Sequence, residues 1–324
     1  MKNYTKQELI DLLTIPYAEF EQTIRKEARE QYVRDRNVLY GSAMLGYSNV
    51  CKNNCLYCGM RGGNTCLKRY RVAPEDVVAA ARTAKEMGFT RIFIISGEDL
   101  GYGYENVLQI VRGIKELGLH LSMACGEFKP EQYEEFAALG ADEYVLKFEM
   151  SDPDTFNRLN PNTSHTQRMR SIEAVKKSGM KLASGNIVDF PGHTIEQMAD
   201  DILLMRDLDI SWAPIVPYMP ATGTPLAAEG GRGDLTLNLR EISILRLMMP
   251  EILITAQQPG PDLSRGLGDR EGNLLAIESG ANILFADLLP DALVRHFSVV
   301  DSRVTLSADH IRQMAEETGM TLQL

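Results

Sequence analysis

Short apolar, β-rich runs alternate with helix-period segments, and this alternation constrains the fold more than any other feature of the chain. Eight such runs follow a helical start, at residues 43–47, 91–95, 119–123, 143–148, 181–188, 210–217, 252–255 and 282–286. Strand–helix alternation with short links indicates a parallel sheet with helices outside it. Eight repeats predict α/β architecture closed into a single (β/α)8 TIM-type barrel. Two Rossmann-like halves are the alternative, but no G-x-G-x-x-G opens a helix.

The 324 residues suit one barrel, since such barrels run to roughly 250 residues before extensions. We predict an N-terminal helical extension over residues 1–37, and a barrel with a C-terminal helix over residues 38–324. A hydrophobic content of 44% is enough to fill the core of such a domain.

The acidic net charge of the chain argues against nucleic acid as a binding partner. A formal net charge of −10 disfavours nonspecific nucleic-acid binding, which needs a basic surface to displace phosphate counterions. No apolar run approaches the roughly 20 residues that span a bilayer, and the start is an amphipathic helix rather than a signal segment. We therefore expect a cytoplasmic protein that meets neither membrane nor nucleic acid and acts on a small molecule.

Three cysteines stand within eight residues, at Cys51, Cys55 and Cys58, in a chain with only five. A C-x3-C-x2-C loop can give thiolates to three irons of a cubane, which leaves the fourth iron open for another ligand. A zinc site would need a second Cys or His pair, which the five histidines do not form. The odd cysteine count argues against disulfides, and three incidental buried thiols remain the alternative.

The loop, with aromatic Tyr57 before its last cysteine, resembles the radical S-adenosylmethionine (radical SAM) superfamily. Further motifs follow the order of one branch, at residues 48–51, 67–71, 96–99, 126–127, 159–164 and 191–194. That branch contains biotin synthase, methylornithine synthase and an iron-only hydrogenase maturase, and of the three the chain is most similar to the maturase. The resemblance is good over residues 38–250 and weaker beyond them.

The resemblance implies a 4Fe–4S cluster held by three cysteines and S-adenosylmethionine (SAM). SAM would be cleaved reductively to a 5′-deoxyadenosyl radical that acts on a small substrate under anaerobic conditions, with flavodoxin or ferredoxin as electron donor. Expected SAM contacts are Tyr57, Ser96, Gly97, Glu98, Lys147, Glu149, Arg168, and Ile187 or Val188 against the adenine. Lys147 stands where the maturase usually has arginine, so a single ammonium group replaces a guanidinium that could bind a carboxylate through two hydrogen bonds.

Substrate contacts are predicted by position alone. Cys125 is a candidate catalytic residue near the barrel mouth, and the candidate substrate-facing residues are Thr255, Gln257, Gln258, Tyr218 and Met219. We expect a reaction like that of the maturase, in the assembly of an organometallic cofactor. An amino-acid mutase, sulfur insertion, or a non-catalytic iron–sulfur scaffold or electron carrier are the alternatives, and a homodimer through the outer helices stays open.

Overall fold

The computed structural model describes residues 1–301 and 303–324. Its strands are β1 (Val38–Ser48), β2 (Arg91–Ser96), β3 (His120–Ala124), β4 (Glu143–Val145), β5 (Lys181–Ala183), β6 (Ile187–Val188), β7 (Trp212–Ala213), β8 (Val216–Pro217), β9 (Leu253–Ile254), β10 (Ile283–Asp287) and β11 (Thr321–Gln323). Eight of them pair in parallel in the order β10-β1-β2-β3-β4-β5-β7-β9, and β11 also pairs with β1. The predicted parallel architecture is therefore confirmed.

The barrel closes where β9 meets β10. Ala256 donates its backbone N–H to the carbonyl of Ile283 at 2.8 Å, and Asn282 donates to Ile254 at 2.9 Å. Thr255 pairs with Ile283 as an isolated parallel bridge. Because every strand of the ring thus finds a neighbour on both sides, the sheet forms a nearly closed barrel with its helices around it.

The α-helices are α1 (Lys6–Thr14), α2 (Tyr17–Phe20), α3 (Lys26–Asp35), α4 (Pro74–Glu86), α5 (Tyr104–Glu116), α6 (Pro130–Ala138), α7 (Pro153–Leu159), α8 (His165–Ser178), α9 (Ile195–Asp207), α10 (Leu235–Met248), α11 (Arg270–Glu278), α12 (Asp291–Val294) and α13 (Ala308–Thr318). A π-helical turn, Glu21–Arg25, joins α2 to α3. Short 3-10 turns lie at Leu100–Tyr102, Leu226–Ala228 and Leu263–Gly268. Within the described residues, no helix is long and apolar enough to cross a membrane.

Three predicted strands differ from the observed ones at their carboxyl ends. The run 143–148 is a strand only to Val145, and the runs 181–188 and 210–217 are each split into two short strands. The hydroxyl of Ser184 explains the first break, because it donates to the carbonyl of Leu146 at 2.8 Å and accepts from the N–H of Phe148 at 3.1 Å. These side-chain bonds replace ladder bonds at the mouth of the barrel, where β6 and β8 pair separately.

An aromatic cluster fills part of the barrel interior. The rings of Phe93, Trp212 and Phe285 stand 5.2 to 5.5 Å apart between centroids and pack with the buried side chains of Met44 and Val145. Inward-facing side chains of this kind make the interior of a small barrel a packed core. Space for ligands therefore lies above this layer, at the carboxyl ends of the strands.

The N-terminal helices pack onto the outside of the barrel. Arg240 of α10 donates to the carbonyls of Leu12 and Ile15, each at 2.7 Å. Its guanidinium also lies over the rings of Tyr17 and Phe20, at 5.4 and 4.8 Å from their centroids. The extension is thus tied to the barrel, and its boundary at residue 37 stays a prediction.

Candidate functional site

The cysteine loop leaves β1 and is held in shape by Arg69. Its guanidinium donates to four backbone carbonyls of the loop region: Asn49 at 2.6 Å, Met60 at 2.8 Å, Arg61 at 2.6 Å and Asn64 at 3.2 Å. Arginine suits this role because its planar fork presents five donors and no acceptor. The loop is therefore organised by main-chain contacts and leaves its thiols available.

A second attachment joins the cysteine loop to the end of β2. Gly97 donates to the carbonyl of Ser48 at 2.9 Å, and Lys52 donates its N–H to the carbonyl of Glu98 at 3.0 Å. The Glu98 carboxylate also accepts from the Asn53 amide at 2.8 Å and pairs with the Lys52 ammonium at 2.6 Å. A side chain at residue 97 would clash, since its Cβ would lie 2.3 Å from the Val50 oxygen.

The electrostatics of the three thiols favour a cationic ligand. Burial, then the neighbouring Cys51 thiol and Glu149, raise the pKa of Cys55 to about 12. Burial is also the main cause that raises the pKa of Cys51 and of Cys58. Thiols in this setting stay protonated unless a metal supplies positive charge to hold them as thiolates. The donor set therefore fits an iron–sulfur cluster.

The thiols do not form a site for a single ion. Across residues 1–301 and 303–324, no three His, Cys, Asp or Glu side chains converge closely enough to hold one metal ion. A four-iron cubane is bound at separate corners, so its ligands stand farther apart than those of one ion.

Tyr57 lies inside the loop and is half-buried. Its hydroxyl donates to the Asn160 side-chain oxygen at 2.8 Å, while Leu56 donates its N–H to the carbonyl of Leu159 at 2.9 Å. Both partners stand at the end of α7. Tyr57 thus connects the cysteine loop to the segment that follows β4, where further predicted SAM contacts lie.

Arg168 of α8 forms a buried ion pair with Glu127. The Arg168 Nε lies 2.7 Å from a Glu127 oxygen, and both side chains are 10% exposed. Arg168 also donates to the backbone carbonyl of Lys147, and Ser171 donates to Glu127 at 3.2 Å. Position alone did not single out Glu127 as this partner, although it lies in the motif at residues 126–127.

Lys147 and Glu149 form an ion pair beyond the end of β4. Their charged atoms are 3.1 Å apart and both side chains are mostly buried. Glu149 has a φ of 64°, a left-handed conformation that non-glycine residues seldom adopt. Backbone bonds hold it there, because its N–H donates to Gly185 at 3.0 Å and its carbonyl accepts from Ile187 at 2.9 Å. The Glu149 carboxylate lies near the cysteine loop, since its charge contributes to the raised pKa of Cys55.

Comparison with known proteins identifies the family. Residues 46–205 match the model of the Radical SAM superfamily. The chain is 34% identical over 292 residues to the protein named [FeFe] hydrogenase maturase subunit HydE of Thermotoga maritima. The aligned residues make up 89% of this chain and 82% of that protein. The chain belongs to the radical SAM superfamily. It is thus a radical SAM enzyme, and its cofactors are a 4Fe–4S cluster and SAM.

Other radical SAM proteins agree in sequence and in fold. The 3-methylornithine synthase of Methanosarcina barkeri is 30% identical over 298 residues, with 89% of this chain and 81% of that protein covered. A crystal structure of methylornithine synthase (PylB) superposes with a TM-score of 0.85 at 24% identity, covering 99% of this chain and 94% of that chain. At this identity the superposition shows the fold alone, and that fold is the predicted TIM-type barrel.

Ile187 and Val188, the two residues predicted to contact the adenine of SAM, are neighbours on β6 and their side chains lie on opposite faces of the sheet. Ile187 packs in a cluster with Tyr57 and Tyr218 beside the cysteine loop. Val188 instead belongs to the main core between sheet and helices and is fully buried there. Alternation along a strand forces this difference. Val188 is therefore placed away from the predicted site, and Ile187 beside it.

The predicted substrate residues after β9 also alternate between the two faces of the sheet, with Thr255 and Gln257 on one face and Gln258 on the other. Thr255 accepts a hydrogen bond from the Trp212 indole at 2.9 Å inside the barrel, and the buried Gln257 oxygen has no protein partner among the described residues. Gln258 was predicted to face the substrate, but its side chain is bonded to other parts of the protein. Its amide donates to the carbonyls of Ile215 and Thr255 and accepts from Asn238 of α10. With its polar atoms engaged in the barrel wall, Gln258 has a structural role.

Cys125 lines a cavity of about 700 Å³ together with Ser96, Glu98 and Glu127. Burial raises the pKa of Cys125 to about 11, so the thiol stays protonated near neutral pH. Met219 and Tyr218 are buried after β8, and the Tyr218 hydroxyl has no partner among the described atoms. The roles predicted for these residues stay predictions.

Proposed function

We propose that Cys51, Cys55 and Cys58 hold the 4Fe–4S cluster through three irons, and that SAM takes the fourth. The supporting observation is that three half-buried thiols with raised pKa share one loop, which is bonded directly to the end of β2. When bound, the cluster and SAM supply reductive cleavage of the sulfonium C–S bond.

Residues at the ends of β2 and β4 would bind SAM and orient it against the cluster. Ser96, Gly97 and Glu98 lie beside the loop, so backbone groups of this segment would receive the amino group of the methionine half of SAM. Lys147 supplies a point charge for its carboxylate, and Glu149 an acceptor pair for the ribose hydroxyls. Arg168 is already paired with Glu127, so we assign it mainly to positioning of the Lys147 backbone.

As a specific reaction, we propose a role like that of the HydE maturase in the assembly of an organometallic cofactor. The support is the 34% identity that extends over 89% of the chain. An amino-acid mutase reaction like that of 3-methylornithine synthase is the second candidate, since similarity to it covers an equal share of the chain at 30%. Sulfur insertion is third, because Ala183 stands where biotin synthase carries a cluster-binding cysteine.

The general function is tested with anaerobically reconstituted protein. Wild type should bind about four irons per chain, and with a chemical reductant should convert SAM to 5′-deoxyadenosine. Replacement of Cys51, Cys55 or Cys58 by Ala should abolish both, whereas Cys66→Ala at the exposed fourth cysteine of this region serves as the matched control. Zinc without iron in the wild type would contradict the proposal.

The specific reaction is tested by two product assays. A maturase-like role predicts that the protein replaces HydE in a reconstituted hydrogenase maturation reaction. A mutase-like role predicts release of 3-methylornithine from an amino-acid precursor. If 5′-deoxyadenosine forms but neither outcome is seen, the general function stands and both specific assignments are rejected.

A further inference from the structure

A carboxylate in the middle of α9, that of Asp201, is fully buried. In the part of the chain that the structure describes, no Lys or Arg pairs with it. The equally buried acid Glu241 is kept neutral, because burial and the charge of Asp201 raise the pKa of its carboxyl. The charge of the two acids therefore resides on Asp201. A buried charge without a cation is costly, so stability alone does not explain an acid at this position.

Donors from separate segments of the chain meet at the Asp201 carboxylate. The Ser151 N–H donates to one oxygen at 2.7 Å, and the Asn186 amide donates to the other at 3.0 Å. The Nδ1 of His193 accepts from the N–H of Asp189 at 3.1 Å, so its Nε2 carries the proton and lies 3.3 Å from Asp201. Hydrogen bonds to a charged acceptor are stronger than neutral ones. Asp201 therefore fastens the segment after β4 to the segment between β5 and β6.

These two segments also form the backbone bridge at Glu149. Glu149 pairs with Asn186 as an isolated parallel bridge. Its N–H donates to Gly185 and its carbonyl accepts from Ile187, so both backbone bonds go to the residues that flank Asn186. Ser151 follows Glu149 by two residues. Because the left-handed conformation of Glu149 persists only where its surroundings enforce it, the carboxylate of Asp201 holds both sides of this bridge together.

The bridge carries both residues assigned to the nucleoside half of SAM. Glu149 is assigned to the ribose hydroxyls, and Ile187 is the predicted adenine contact. The groups assigned to the methionine half are residues 96–98, at the end of β2, and Lys147. Lys147 is held separately, because the Ser184 hydroxyl bonds to the residue on either side of it. The hydrogen bonds of Asp201 thus lead to the contacts of the nucleoside half.

We propose that Asp201 is a positioning residue for the nucleoside half of SAM. Its carboxylate fixes the turn at Glu149 against residues 185–187, and thereby sets the ribose acceptor relative to the side chain of Ile187. Placement of this kind matters, because a shift of about 1 Å in a bound group can cost about a hundredfold in rate. This role rests on the proposed function, because it requires SAM at the mouth of the barrel.

The test compares Asp201→Asn with wild type after anaerobic reconstitution. The variant keeps the size of the side chain, but its amide would face the amide of Asn186, so the carboxylate acceptor is lost. Three probes separate the two halves of the cofactor: SAM, 5′-deoxyadenosine and S-methylmethionine. Equilibrium dialysis should show SAM and 5′-deoxyadenosine bound about tenfold more weakly, and S-methylmethionine bound within about twofold of wild type. Iron content should equal that of wild type, since no contact of the cysteine loop is changed.

Two further variants serve as control and as substitute. Asp200→Asn is the matched control, because Asp200 precedes Asp201 on α9 and forms a half-exposed pair with Lys6 at 2.6 Å. It should bind all three probes as wild type does, and an equal loss in this control would overturn the positioning role. If Asp201→Asn loads too little iron, Asn186→Ala takes its place. It removes one donor to the same carboxylate and should show the same selective loss.

A double-mutant cycle shows whether Asp201 acts through Glu149. Glu149→Gln should itself weaken binding of 5′-deoxyadenosine, and addition of Asp201→Asn should weaken it less than about threefold further. A purely structural role predicts that the two losses multiply and that S-methylmethionine binding falls as well, and either result would overturn the positioning role. Absence of 5′-deoxyadenosine after reduction of the wild type with SAM would instead reject the proposed function.

Discussion

At the residue scale, charged side chains at the barrel mouth form two ion pairs, one between sequence neighbours and one between residues far apart in the chain. Arg168 and Glu127 are joined at 2.7 Å, and Lys147 and Glu149 at 3.1 Å. A buried ion pair is weak evidence for net stability, but removal of one partner leaves an uncompensated charge. Each pair is therefore better regarded as fixing side-chain geometry at the barrel mouth than as a major source of stability.

Replacement of Arg168 by Ala should lower the free energy of unfolding by about 3–5 kcal/mol, since Glu127 would be left buried and unpaired. Urea titration under anaerobic conditions measures the change. The exposed pair Lys177–Glu173 offers the comparison, where Lys177→Ala should cost less than about 1 kcal/mol. Equal losses in the two variants would show that the Arg168–Glu127 pair behaves as a surface pair.

Glu241 of α10 is a second residue with a testable electrostatic signature. Burial, and then the charge of Asp201, raise the pKa of the Glu241 carboxyl, whose oxygen lies 3.4 Å from the Asn186 amide. The folded protein thus retains a proton that the unfolded chain loses above about pH 4.3. Stability from this group is present at low pH and is lost as the pH rises towards the raised pKa.

We therefore expect Glu241→Gln to flatten the decline in unfolding free energy between about pH 5 and about pH 8. Urea midpoints across this range measure the effect, with Glu134→Gln at an exposed position as control. Parallel pH profiles for wild type and Glu241→Gln would contradict a raised pKa at this carboxyl.

At the scale of elements, the carboxyl end of β2 determines how the cysteine loop is seated. The loop after β1 bonds to Gly97 and Glu98 through backbone groups, and both segments lie at the barrel mouth. Parallel strands bring their carboxyl ends to one edge, so neighbouring loops meet there. The close approach at Gly97 leaves no room for a side chain.

Substitution of Gly97 by Ala should displace the cysteine loop, because the new Cβ would lie 2.3 Å from the Val50 oxygen and 2.8 Å from the Cys51 Cβ. Overpacking of this kind costs about 1–3 kcal/mol. Iron content after anaerobic reconstitution should fall below that of wild type. Gly231→Ala, where nothing lies within 4 Å of an added Cβ, should load normally. Full iron content in Gly97→Ala would show that the loop tolerates displacement.

At the scale of the whole molecule, one buried arginine connects the N-terminal helices to the closing edge of the barrel. Arg246 of α10 donates to the carbonyls of Gly280, Pro250 and Ile252 at 2.8 to 2.9 Å. Its guanidinium lies 4.5 Å from the ring centroid of Tyr32 in α3. Extension, helix layer and the strands β9 and β10 are thereby linked as one unit.

Arg246→Met should cost about 3 kcal/mol or more, because three buried carbonyls lose a charged donor. Hydrogen exchange should accelerate in α3 as well as around β9, since the link to Tyr32 is lost. The exposed Arg312→Ala, which breaks only a surface pair with Asp309, should leave both regions unchanged. Faster exchange confined to β9 would show that the extension is held independently of Arg246.

The sequence by itself determined the features that depend on neighbouring residues. Alternation of strand and helix periods predicted the parallel barrel, and the C-x3-C-x2-C spacing predicted the cluster loop of a radical SAM protein. Such patterns are local, because a period or a motif is complete within one segment. Such features can therefore be predicted without knowing how the rest of the chain folds.

Only the tertiary structure decided which distant groups meet. The hydroxyl of Ser184 ends β4 early, Glu127 pairs with Arg168, and Asn238 holds Gln258 in the barrel wall. Each contact joins residues about 20 to 40 positions apart, so no local period encodes it. Strand register and helix packing set which side chains face each other, and these arise only when the whole barrel has closed.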